Sequence, residues 1–270
     1  MVLGDTTPEE QTIAARLRYH GWKVYNAGML AAGTTQELRL LEILLPRSRP
    51  RAVVVVFNRG NDFYDNYWQP RADRSGESRQ TSPALASLHR GARALCESSD
   101  VCQWARRALV GDILRGRSSN PMGSVASAGF EGFRLASAAP MREAIVKTES
   151  ALAAIQALLE PRGARLVLLG VPSRAEVSRS LAAVDGCWTD RRCLERALAL
   201  VAESYSFDRP EGALEELARR RGIRYVSLLQ RFREAGAPRV FGQVDEHLSA
   251  DGQMLAADTI AAALGGRGDP

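Results

Sequence analysis

Four consecutive valines in the stretch RAVVVVFN, residues 51–58, constrain the fold more than any other feature of the chain. A short, β-branched run bounded by polar residues predicts a strand buried on both faces, as in a parallel sheet. The pattern repeats downstream. A predicted helix from Met141 to Leu159 leads to RLVLLGV (165–171), and one from Glu211 to Arg221 leads to IRYVSLL (223–229). Upstream, TTQELRLLEILLP from Thr34 reads as an amphipathic helix closed by Pro46, with Leu38, Leu41 and Leu45 at helical spacing. Before it, Lys23 to Asn26 reads as a short strand. An earlier helix is signalled by Thr7-Pro8-Glu9-Glu10, with a capping Thr, Pro at the first helical position and an acidic first turn, and it stops near His20 and Gly21. A last helix starts after Ser249. Helices alternating with apolar strands predict a three-layer α/β/α sandwich on a parallel sheet, built as a single domain over residues 1–270.

One region breaks the rhythm. From about residue 65 to 140, polar and Gly/Ser-rich stretches surround two helical segments near 83–97 and 101–115. This reads as an insertion over the carboxyl edge of the sheet, where α/β folds bind ligands, and it could form a lid. The formal charge of +5 is carried by arginines spread along helices (Arg16, Arg18, Arg106, Arg107, Arg219–Arg221). They are not interleaved with aromatics on one strand face, so no nucleic-acid partner is expected. No apolar run approaches the ~20 residues a transmembrane helix requires. Four cysteines form two equally spaced pairs, Cys96/Cys102 and Cys187/Cys193. Their spacing does not suit zinc. They are either two local disulfides, which would place the protein outside the cytoplasm, or four unpaired thiols.

Of the three histidines, His20 sits at a helix end and His89 within a helix of the insertion. His247 differs, because it follows Asp245 by two residues in VDEHLSADG, just before a helix capped by Ser249. A carboxylate placed there can accept from Nδ1–H, fix the tautomer and leave Nε2 as a general base. A second signal is FNRGNDFYDN, where Gly60-Asn61-Asp62 follows the valine strand and puts a carboxamide at the carboxyl edge. Such an amide can donate to a developing oxyanion. The third is VYNAGMLAAGTTQEL, whose strand, Gly/Ala-rich turn and helix start offer unshielded backbone N–H groups to an anion.

In this order and spacing, the three segments resemble the SGNH (GDSL-type) hydrolase family. VYNAGMLAAG is similar to its second block, GND to its third, and D-x-H-L-x-x-x-G to the last block of bacterial members. The resemblance implies His247 as base, Asp245 as its orienting partner and Asn61 as oxyanion donor. The turn N–H falls to Ala31, where the family has glycine, with Gly33 a less suitable substitute. It implies a serine nucleophile on the first strand, and no metal or organic cofactor. That serine is missing. Gly4-Asp5-Thr6 offers Thr6 in its place, but only three residues precede Gly4, and MVLGDTTPEEQT also fits the family's segment after the serine. The expected reading is a serine upstream of Met1, with the first strand missing or frayed and the 270-residue chain inactive by itself. The expected activity is hydrolysis of an O-acyl ester of a carbohydrate, lipid or small molecule. The alternatives are a nucleophile-free binding module of the cell envelope, and a glycan O-acetyltransferase on the same scaffold.

Overall fold

The computed structural model describes residues 8–29, 32–67, 130–183, 199–201, 204–242 and 247–265. Strands β1 (Ala52–Asn58), β2 (Arg165–Val171) and β3 (Arg224–Ser227) form a parallel sheet in the order β1-β2-β3. Its register sets Ala52 opposite Arg165 and Val167 opposite Arg224. Helices flank it: α1 (Ile13–Tyr19), α2 (Thr34–Leu44), α3 (Ala139–Leu159), α4 (Arg174–Ser178), α5 (Arg209–Arg221), α6 (Leu229–Ala235), α7 (Ala237–Val240) and α8 (Ala250–Leu264).

Strand parity divides the apolar residues into two cores. Val53, Val55 and Phe57 of β1 and Leu168 of β2 meet Leu152, Ile155 and Leu159 of α3 and Leu214 and Leu217 of α5. Val54, Val56, Leu169 and Val171 point the other way, toward Ile13 and Leu17 of α1 and Ala256 and Ile260 of α8. The molecule is therefore the expected α/β/α sandwich.

Most elements fall where the sequence puts them, and three differ. The first helix begins not at Thr7 but after Thr12, whose hydroxyl accepts from the Ala15 N–H at 3.2 Å. The Pro8 segment leads only into a 3-10 turn at Glu9–Gln11. The strand expected at Lys23–Asn26 pairs with no described strand, although exposure alternates along residues 21–29 and Trp22 and Val24 turn inward. Third, β1 is not buried on both faces. Val53, Val54 and Val56 are half-buried, because β2 is the only described neighbour of β1, which therefore forms an edge of the described sheet. In contrast β2, between two strands, is fully buried from Val167 to Val171.

The helical segments expected near 83–97 and 101–115 lie outside the described residues, as do all four cysteines. The flanks of that region are built into the domain. Phe63 and Tyr67 join the first core, and Phe130 and Phe133 pack with Ala175 and Leu200 in a third cluster.

Candidate active site at the carboxyl edge of the sheet

Because the strands are parallel, their carboxyl ends share one edge. At the end of β1 the chain turns sharply through 58–61. The Asn58 side chain accepts from the Gly60 N–H at 3.1 Å, and its carbonyl accepts from the Asn61 N–H at 3.2 Å. A short helix over 62–67 follows, with Asp62 folding back to accept from the Asn58 N–H at 2.7 Å. Asn61 stands at its start, half-buried, and its carbonyl takes the Asp65 N–H at 2.9 Å.

The Asn61 carboxamide is held by its own helix. Nδ2 donates to Asp65 Oδ2 at 3.0 Å, a pairing one helical turn apart. The opposite amide orientation would set Oδ1 against the carboxylate, so this contact fixes the group while its second N–H is not used by Asp65. Nearby carboxyls are shielded from water. Burial pushes Asp65 up to about 6 despite the Asn61 bond, and Glu37 up to about 7. Burial, reinforced by Glu37, raises Asp62 well above the usual carboxylate range.

The next residue inward, Arg59, anchors the turn. Its N–H donates to the Val171 carbonyl at 3.0 Å, extending the β1–β2 ladder. Its guanidinium is completely buried and donates to Glu176 at 2.8 Å and the Tyr225 hydroxyl at 3.0 Å, with Glu211 also in contact. Burial opposes the charge on Arg59, but Glu176 and Glu211 outweigh it. Glu176 belongs to a capping box with Ser173 at the start of α4. Gly170 of β2 makes room for this network, since a Cβ there would fall on the Tyr225 hydroxyl and 2.6 Å from Arg59 Nη1.

The histidine lies on a loop closed by a separate set of contacts. Phe241 and Leu248 form an antiparallel bridge that closes the loop carrying His247, and the Gly242 N–H donates to the His247 carbonyl at 2.7 Å. Leu248 is buried in the second core and holds the loop down. Ser249 caps α8 by accepting from the Gly252 N–H at 3.2 Å. Gly252, the glycine of the D-x-H-L-x-x-x-G pattern, lies so close to α7 that a Cβ would meet the Val240 carbonyl. His247 is half-buried, with Nδ1 buried, so the accessible part of the ring lies away from Nδ1. On the far side, the Arg174 guanidinium donates to the Gly242 carbonyl and lies over the Phe241 ring at 5.6 Å.

Both turns are therefore tied to one segment, residues 171–176, the junction where β2 passes into α4. The Asn61 turn is tied through Arg59 to Val171 and Glu176, and the His247 turn through Gly242 to Arg174. Asp245, Ala31 and Thr6 lie outside the described residues. His20 is accounted for elsewhere by a 2.8 Å contact with Asp258. Gly33 has a packing role, because a Cβ there would lie 3.1 Å from the Asn66 backbone nitrogen and closer still to its side chain. Two participants escaped the sequence reading. Asp65 was findable from its spacing to Asn61; Arg59 was not, as its partners lie 117 and 166 residues away. The chain matches no family model and no curated protein.

Proposed function

We propose that the carboxyl edge is an acyl-transfer site of the SGNH type. The observation that carries this reading is the common tether: two turns 186 residues apart in sequence, one carrying a carboxamide and the other an imidazole, are both fastened to the first turn of α4. In this reading His247 is the general base, steered by Asp245 at Nδ1, and takes the proton of a serine hydroxyl as it attacks an ester carbonyl. The second Asn61 N–H and the backbone N–H of Ala31 receive the oxyanion of the tetrahedral intermediate. His247 then returns the proton to the departing alcohol, and water repeats the sequence to release the acid. This reading requires the serine to be supplied from outside residues 1–270. The substrate is an O-acyl ester of a carbohydrate, lipid or small molecule.

The test is labelling with a fluorophosphonate probe, which reacts only with an activated serine. The protein extended by its upstream codons should be labelled at a serine before Met1, and His247→Ala should abolish the labelling. The chain 1–270 should stay unlabelled and turn over no activated ester. An in-frame stop directly before Met1 would remove the serine hydrolase reading. Activity of the 270-residue chain that disappears in Thr6→Ala would move the nucleophile to Thr6.

A further inference from the structure

The opposite, amino edge of the sheet carries a feature that the acyl-transfer reading leaves unused. The segment 45–51, LPRSRPR, leads into β1, and Arg162-Gly163 leads into β2, the two joined where the Arg165 N–H donates to the Arg51 carbonyl at 2.9 Å. Between them lies a groove of about 840 Å³ lined by Arg47, Arg49, Arg51 and Arg162, with no acidic side chain in its wall among the described residues. The volume is that of a small-molecule site.

Arg179, Arg219, Arg220, Arg221, Arg233 and Arg239 each lie within 4.0 Å of a carboxylate. Arg47 and Arg49 have no such partner among the described residues, and both are exposed. The backbone that carries them is also held in place. Leu45 anchors the segment in the first core, Pro46 and Pro50 stiffen its backbone, and Arg162 Nη1 is pinned to the Leu158 carbonyl at 2.7 Å. Ser48 is extended, so Arg47 and Arg49 on either side of it lie about 6.6 Å apart and offer planar donors suited to neighbouring oxyanions.

We propose that this groove binds a polyphosphate-type anion, a ligand presenting two or more linked phosphoryl groups. The anchored backbone limits the ordering cost of binding, and the uncompensated charge of Arg47 and Arg49 supplies the attraction. The site is about 23 Å from the Asn61 turn, the length of a seven-residue strand, and is independent of the acyl-transfer reading.

Calorimetric titration of the 270-residue chain with sodium tripolyphosphate tests this. Expected are saturable one-to-one binding that weakens as salt rises, and orthophosphate binding at least tenfold weaker. The double variant Arg47→Ser/Arg49→Ser should raise Kd at least tenfold. Arg219→Ser/Arg221→Ser, which removes the same charge from α5, should leave Kd within about twofold. Equal losses in the two variants would reduce the effect to net charge and overturn the proposal. So would absence of saturable binding, orthophosphate binding as tightly as tripolyphosphate, or binding to phosphatidylglycerol vesicles without binding to tripolyphosphate.

Discussion

The two edges of the sheet treat arginine in opposite ways. At the carboxyl edge Arg59 is completely buried and enclosed by Glu176, Glu211 and the Tyr225 hydroxyl. At the amino edge Arg47 and Arg49 are exposed and have no carboxylate partner among the described residues. A buried, matched charge is committed to structure: it costs desolvation, tolerates no missing partner and fixes the backbone that carries it. An exposed, unmatched charge does little for the fold and stays available to a ligand. The difference separates scaffold from binding surface within one residue type.

The sharpest way to break this contrast is Arg59→Leu. It leaves Glu176 and Glu211 facing a buried apolar group, and should cost about 3–5 kcal/mol in chemical denaturation. A loss below 1 kcal/mol would mean that the network does not hold the Asn61 turn. Gly252→Ala tests the other arm of the site. The added methyl meets the Val240 carbonyl, so α8 must shift, at about 1–3 kcal/mol, and the His247 loop with it.

Asp65 gives a smaller effect that depends on pH. Its folded pKa of about 6 lies above the ordinary value, so the folded state binds the proton more tightly than the unfolded chain. Its contribution to stability is therefore present below about pH 4 and lost as pH rises through 6. Glu37, near 7, extends the decline in the same direction. Thermal unfolding of Asp65→Asn against the parent should show the variant gaining relative stability between pH 4 and 7, whereas a pH-independent difference would place Asp65 in water. The smallest effect is expected at the amino edge. Arg47→Ser/Arg49→Ser should change stability by no more than about 0.5 kcal/mol per substitution, since neither side chain is buried or paired. A larger loss would show that these arginines serve the fold.

What the sequence revealed followed the range of the interactions involved. β2 was legible to its end residues, 165–171, because a local apolar run suffices to define a buried strand. The valines of β1 identified the strand but not its exposure, which depends on whether a neighbour covers its outer edge. Thr7 and Thr12 both had cap chemistry, and the choice between them was made by tertiary contact. The Ile13 N–H donates to Gln253 of α8 at 3.1 Å, placing the helix start where α8 can receive it. At the site, Asn61 and His247 were read from motif spacing. The Arg59–Glu176 pair that ties the Asn61 turn to the start of α4 was invisible, since nothing local marks an arginine as buried. The arginines at 47, 49 and 51 were not singled out in the sequence, where arginine looked spread along helices, and the parallel pairing of β1 and β2 is what brings Arg162 beside them.

The central claim, that Asn61 and His247 serve one reacting centre, is tested most directly by kinetics on the protein extended by its upstream codons, where the proposal puts the serine. With a small activated ester, Asn61→Ala should lower kcat about 100- to 1000-fold with little change in KM, as expected for a donor that acts on the transition state alone. His247→Ala should lower it further, and the double variant should lose far less than the product of the two single losses, because groups that act as a unit are not additive. Turnover unchanged by Asn61→Ala, or two losses that simply multiply, would contradict the account.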